Sequence, residues 1–471
     1  MTHLGNKWWA LVVLCLGDFM IILDTTIVNV ALPSIRTDLG FSETSLVWVV
    51  NAYMLTFSGF LLLGGRLGDL YGHRRLFLGG VAVFTLASLL CGLAVSQEML
   101  IIARALQGLG GAVVAAIALS LIMDIFTGEE ERAKAMGIIG FIAAGGGAVG
   151  VLLGGLLTGT FDWHWIFLIN LPVGIAVLVL TFWVIPAHKR GAAGTRLDVA
   201  GALTVTASLM LAVYAIVNGN TAGWTSAQTL SQLGVAAALM ALFLFIESRV
   251  QHPLMPLRLF AIRSIAVSNV IGILWSAGMF AWFFISALYL QLVLGYDPLQ
   301  VGLAFLPSNI IMAIFSLGLS ARLVMRFGTR IPLVIGMSFV ALGLLLFALA
   351  PVNGDFLWHV MPPMVLLGIG VGMAMNPVLL AAMSDVAPED SGLASGVLNT
   401  AFMMGGSLGL AVLASFAAYR TESVLAAGAD QIVALTSGYS AAFLLGALAT
   451  GIAAAAGLLL RPKKGAPVAL H

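Results

Sequence analysis

Gly65-Arg66-Leu67-Gly68-Asp69-Leu70-Tyr71-Gly72-His73-Arg74-Arg75 places three glycines and an acid ahead of a closing pair of arginines. It stands between two apolar runs, residues 45–65 and 76–95. Without a Cβ, its glycines allow a tight turn and a close approach of the helices on either side. Asp69 suits a neighbouring helix N-terminus, where the dipole favours an anion. Arg74 and Arg75 are placed to pair with a carboxylate on another helix. The stretch reads as a short polar link between two apolar helices, and its setting depends on what those helices face.

Apolar residues make up 61% of the 471-residue chain and charged residues 9%, against about 25% charged in a soluble domain. That is too little charge to cover a water-facing surface, so most of the surface faces lipid. A bilayer crossing needs roughly 20 apolar residues. Fourteen runs qualify: 8–33, 45–65, 76–95, 99–125, 133–158, 164–185, 198–217, 229–247, 264–291, 299–321, 331–350, 357–383, 392–418 and 437–460. The first run is too long for a signal-peptide core, lacks a small-residue cleavage site and reads as a retained helix. The expected class is all-α integral membrane: a six-helix bundle in residues 1–190, two inserted transmembrane helices in 191–250 and a second six-helix bundle in 251–471.

The basic residues separate by side. Alternate loops hold 18 of the 21 Lys and Arg, the other set holds Arg36 and Arg420, and Arg104 lies within a run. The positive-inside rule then puts both termini in the cytoplasm. Removing the middle pair of runs would leave this partition intact, so charge alone fits twelve helices or fourteen. A net charge of +1 with dispersed basic residues excludes a nucleic-acid surface. Cys15 and Cys91 both fall in apolar runs, which argues against a disulfide framework. All five lysines lie outside any G-x-x-x-x-G-K-[ST] loop, so ATP is not the expected energy source. No H-E-x-x-H or Cys/His cluster indicates a metal. No cofactor is expected.

The 65–75 stretch resembles the loop signature G-x-L-x-D-x-x-G-x-[KR]-[KR] of the major facilitator superfamily. The resemblance implies a conformational latch made by Gly65, Asp69, Gly72, Arg74 and Arg75. Asp124, at the end of the fourth run, is expected to meet Arg74 or Arg75 in a structural role. Leu23-Asp24-Thr25-Thr26-Ile27-Val28-Asn29-Val30-Ala31-Leu32-Pro33 is similar to the first-helix signature of the fourteen-helix drug:proton antiporter branch. The same branch is echoed by Trp163-His164-Trp165 through Gly174, by Tyr289-Leu290-Gln291, and by Gly392 through Asn399, so the likeness covers nearly the whole chain.

A carboxylate within a bilayer is costly and usually faces a cavity with a task. Asp24 is therefore read as a proton-coupling acid, the alternative being a carboxylate paired for packing. Asp18, six residues earlier, lies about 240° around the helix. It is nearer the midplane, where transporters bind substrate, and suits a cationic substrate, a second proton or a helix–helix hydrogen bond. Leu100 through Ala112 resembles the superfamily signature with an intramembrane arginine, which implies a part in proton transfer for Arg104. The alternative is a structural ion pair with Glu98 or Asp24. Gly146, Gly150 and Gly154 recur every four residues, a face on which two helices approach closely. With Gly155 they resemble the antiporter signature G-x-x-x-G-P-x-x-G-G, although Val151 stands where the family has proline.

In the second half the acids sit in or beside loops, so any pocket there is apolar. Phe280, Phe284, Met373 and Phe402, with Asp18, are the candidate substrate-binding residues. The resemblance implies alternating access around a central cavity. It also implies a monomer in a bacterial cytoplasmic membrane that exports lipophilic or monovalent cationic compounds against protons. A lipid or glycolipid exporter and a proton-coupled metabolite transporter remain open alternatives. An intramembrane aspartyl protease using Asp18 and Asp24 fits poorly, because the two acids occupy different faces of one helix.

Overall fold

In a computed structural model of the protein, the described residues are 4–126, 128–185, 198–250, 253–386 and 391–461, and they are helical with no strand among them. The first bundle comprises α1 (Leu4–Leu39), α2 (Val47–Tyr71), α3 (His73–Gly92), α4 (Gln97–Ile125), α5 (Glu129–Thr160), the single turn α6 (Trp165–Leu168) and α7 (Asn170–Val184). Then come α8 (Val199–Ala222) and α9 (Ala227–Arg249). The second bundle comprises α10 (Arg263–Leu288), α11 (Pro298–Ile314), α12 (Ser320–Phe327), α13 (Arg330–Ala348), α14 (Met361–Met383), α15 (Ser391–Ala426) and α16 (Gln431–Gly457).

Among the described residues, twelve helices are long and apolar enough to cross a membrane, and α8 and α9 are among them. Twelve of the fourteen expected runs meet that length among the described residues, and the two shorter ones lie at α5 and α11. The apolar part of α5 is only Gly145–Thr160, because its first turns carry Glu129, Glu130, Glu131, Arg132 and Lys134. α11 ends at Ile314, where a π-turn (Phe315–Leu319) contains Gly318 at φ 147°. Only glycine adopts that φ readily. The chain is a multi-pass membrane protein of the all-helical type.

Two seams join the halves. In one, α5 lies along α11. A Cβ on Gly155 would stand 2.6 Å from Pro298 O, and one on Gly302 2.9 Å from Val151 O, so the two backbones nearly touch. In the other, α2 lies along α15, and Asn51 Nδ2 donates to Ser407 O at 2.9 Å. α8 covers this second seam and packs on both α2 and α15. A Cβ on Gly59 would run into Thr206 of α8, and Asn220 Nδ2 donates to Ser415 O at 2.8 Å. α9 rides on α8, held by Ser208 Oγ donating to Ala236 O at 2.7 Å. Gln291 Nε2 adds a cross-half bond to Val30 O at 2.8 Å.

Candidate functional site

The packing of α4 decides the site. Ser96 caps its N-terminus by accepting from Met99 N at 3.2 Å, and Glu98 places a carboxylate in the first turn, where the dipole favours it. Further along, Gly108, Gly110 and Gly111 thin the helix. A Cβ on Gly108 would run into Tyr53 O of α2, and one on Gly110 would lie 2.6 Å from Phe84 N of α3. This waist draws α2 and α3 against α4 and closes a polar centre around Arg104.

Arg104 is 1% exposed and Asp24 0% exposed. Arg104 Nη1 meets Asp24 Oδ2 at 2.5 Å and donates to Gln107 Oε1 at 2.6 Å, while Nε donates to Val49 O at 2.9 Å. The guanidinium lies over the rings of Tyr53 and Phe167, 4.5 and 5.5 Å from their centroids. Asp24 Oδ1 accepts from Gln107 Nε2 at 2.6 Å and from Asn170 Nδ2 at 3.1 Å. Gln107 Nε2 also donates to Ser88 Oγ at 2.7 Å. Five helices of the first bundle thus converge on one ion pair, with α6 adding the Phe167 ring. A buried pair is tolerated only when such added bonds offset the desolvation of both charges. Two polar atoms, Asn170 Oδ1 and Tyr53 Oη, are buried with no partner.

Asp18 lies elsewhere. Six residues separate it from Asp24, about 9 Å along α1 and 240° around it. It is half-buried, and no described residue donates a hydrogen bond to it or pairs with it. Of the two partners weighed for Arg104, the structure selects Asp24 and leaves Glu98 at the helix end.

Gly146, Gly150 and Gly154 face α1. A Cβ on Gly146 would lie 2.8 Å from Ile22 Cγ2, one on Gly150 would run into Thr26 Oγ1, and one on Gly154 would lie 2.7 Å from Ile27 O. Gly155 faces α11 instead, as above. Val151, in the proline position of the signature, is buried within an unbroken helix.

At the 65–75 turn, Gly72 ends α2 and begins α3 at φ 93°. Gly65 lies in the last turns of α2, where an added Cβ would only touch the Ala116 side chain of α4, at 4.0 Å. Asp124 Oδ2 meets His73 Nδ1 at 3.1 Å rather than Arg74 or Arg75. His73 opens α3 facing the end of α4. Arg74, turned about 100° further round the helix, donates to Phe182 O at 2.8 Å and lies over the Phe182 ring. Arg75 is exposed. The side chain of Asp69 lies outside the described residues.

Of the apolar candidates, Phe280 and Phe402 come together at 5.9 Å between centroids, with Trp275 against Phe402 at 5.2 Å. Met54 of α2 reaches the same place beside Gly406. Phe284 is buried in the second bundle. Met373 lies on α14, where its carbonyl accepts from Ser320 Oγ at 3.2 Å. No ring contact among the described residues joins these two to the Phe280 group.

Sequence reasoning passed over Gln107, Ser88, Tyr53 and Asn170. Gln107 was the readable one, since three residues after Arg104 it must share a helix face with it. Asn170, an amide in an apolar run, carried the weaker version of that signal.

The sequence profile of the Major Facilitator Superfamily matches residues 14–410. The puromycin resistance protein pur8 of Streptomyces alboniger is 40% identical over 423 residues, covering 89% of this chain and 84% of the relative. The cephamycin export protein CmcT of Amycolatopsis lactamdurans is 40% identical over 407 residues, covering 86% and 84%. Among solved structures, a bacterial homologue of the human lysosomal transporter Spinster shares the fold at a TM-score of 0.69 and 15% identity, over 98% of this chain and 99% of that one.

Proposed function

Since the chain belongs to the major facilitator superfamily and is a transporter, not an enzyme, we propose that it is a proton-coupled antiporter. In this reading it exports lipophilic or monovalent cationic compounds by alternating access. Two relatives at 40% identity are named for puromycin resistance and cephamycin export, which supports drug efflux as the task. The observation that carries proton coupling is the dry Asp24–Arg104 pair inside the first bundle.

Protonating Asp24 removes the charge that Arg104 pairs with. Arg104 keeps Val49 O, Gln107 Oε1 and two aromatic faces, so it stays in place while α1 is released from it. Any ligand that binds one state better shifts the balance toward that state, and here the ligand is the proton. Asp18 lies on another face of α1 with no partner among the described residues, so a cationic substrate or a second proton can neutralise it. Because one helix carries both acids, a shift of α1 moves both.

All fourteen runs are proposed to cross the bilayer. α5 is 32 residues long despite its polar start, and α11 continues through the π-turn into α12. Six helices flank the inserted pair on each side, both termini lie in the cytoplasm of a bacterial cell, and the protein works as a monomer. The deciding experiment is ethidium transport in proteoliposomes under an imposed pH gradient. Gradient-driven transport by wild type that is abolished in Asp24→Asn supports the reading. Undiminished transport in that variant refutes Asp24 as the coupling acid.

A further inference from the structure

A second polar centre lies on the inserted helix pair, apart from the Asp24–Arg104 site. Asp198 caps α8, and its Oδ1 accepts from Gly201 N at 2.8 Å. Glu247, in the last turn of α9, accepts through Oε2 from Met255 N at 3.0 Å. Met255 belongs to the segment that leads into the second bundle. The side chains are 5% and 3% exposed. Each has a remaining oxygen, Asp198 Oδ2 and Glu247 Oε1, that is buried and receives no hydrogen bond from a donor. These two oxygens face each other. They lie 2.5 and 2.9 Å from the point where a Cβ on Gly201 would sit, and the two side chains are within hydrogen-bonding reach of one another.

Among the described residues no Lys, Arg or His pairs with Asp198 or Glu247. On α9, Arg249 lies over the Phe245 ring. α8 carries no charged residue after its cap. On α2, Leu63 packs with Ala202 and Leu254 beside the pair, while the side chains of Arg66 and Asp69, and all of Arg196, lie outside the described residues. On α15, which packs on α8, the charged residues Arg420 and Glu422 stand at the opposite end. Beyond Met255, Arg258 is exposed.

Two ionised carboxylates cannot share a dry space without a counter-charge, and one proton between them turns repulsion into a hydrogen bond. We propose that Asp198 and Glu247 together bind a single proton, Glu247 Oε1–H···Oδ2 Asp198. The shared proton makes a pH-dependent clasp that ties α8, α9 and the 253–256 segment beside α2. Loss of the proton to water leaves two facing anions, and the clasp loosens. Gly201 is the residue that permits this, since any Cβ there parts the two oxygens.

The test uses the full-length protein in nanodiscs. An infrared pH titration follows the carbonyl stretch of protonated carboxylic acids in wild type, Asp198→Asn, Glu247→Gln and Gly201→Ala. In each amide variant the new NH2 donates to the remaining carboxylate and keeps the clasp shut without a proton, so these variants are expected to fold. The expected result is an acid band in each wild-type-minus-variant difference spectrum that vanishes as pH rises, the contributions of Asp18 and Asp24 cancelling. Thermal unfolding adds an independent reading. The folded state holds a proton that an unfolded carboxyl has already released, so wild type loses stability as pH rises through the titration, and both amide variants stay flat there. An identical titrating band in wild type and in both amide variants overturns the proposal. So does a wild-type titration that moves with Na+ or K+ at constant pH, because a metal cation would then occupy the gap. Neither readout needs transport, so this proposal and the export reading fail separately.

Discussion

Arg104 Nη1 stands 2.5 Å from Asp24 Oδ2, and the two side chains are 1% and 0% exposed. At that burial bulk solvent does not reach either charge when its partner is removed. Arg104→Gln is therefore expected to cost about 3–5 kcal/mol, the usual penalty for orphaning one member of a buried pair. Adding Asp24→Asn to Arg104→Gln should restore part of that loss, because the orphaned anion is gone. A double-mutant cycle by thermal unfolding in detergent checks this, and a coupling near zero contradicts it.

Asp18→Asn should behave in the opposite way. With no partner among the described residues to orphan, the substitution is expected to leave the unfolding free energy within the scatter of surface changes, about ±0.5 kcal/mol. Under the export reading it should weaken transport of a monovalent cation such as ethidium more than that of an uncharged drug. Parallel accumulation assays with one compound of each kind measure the difference.

Gly155→Ala inserts a methyl 2.6 Å from Pro298 O. A backbone carbonyl on a packed helix gives way poorly, so overpacking should cost roughly 1–3 kcal/mol and push α5 from α11. Gly145→Ala on the same helix meets nothing within 4 Å and serves as the control, neutral or stabilised by up to about 1 kcal/mol through helix propensity. Disulfide trapping of cysteines placed across the α5–α11 seam reports the separation directly.

Glu43 lies in the turn between α1 and α2. Burial raises its carboxyl above the ordinary value of 4.5, Arg36 at 3.5 Å draws it back down, and Glu422 of the second bundle raises it again. A raised carboxyl favours the folded state while protonated, so that contribution is present below pH 4.5 and is lost as pH climbs through the raised value. Glu43→Gln should flatten this part of the curve and leave the variant less sensitive to alkali than wild type. Thermal unfolding between pH 4 and 8 tests it, and the partial exposure of the pair keeps the effect small.

Much of the first bundle was legible. The 65–75 stretch marked the α2–α3 turn, and the glycines at 146, 150 and 154 marked a contact face that turned out to be against α1. Period and side-chain size suffice for such readings. Other features needed three dimensions. His73 rather than Arg74 meets Asp124 because of a rotation of one residue about α3, and spacing in a loop does not encode that. Asn170 joins Asp24 only because α7 packs on α1, a meeting of helices far apart in the chain. Asp198 and Glu247 sit 49 residues apart at the two ends of a helical hairpin, so nothing local announces that they touch. The length criterion that separates twelve crossings from fourteen turns on α5 and α11, the two helices that meet across the halves.

That same meeting has a mechanical consequence. Where Gly155 and Gly302 bring two backbones together, the helices form a fulcrum of the smallest radius a polypeptide allows. Such a pivot rolls with little change in its own contacts, and the lever arms of each bundle amplify the motion toward their far ends. Side chains larger than hydrogen at the pivot would act as teeth and confine the roll to fixed steps. Under the alternating-access reading, a smooth pair of glycines leaves the angle free, to be set by contacts at the rim.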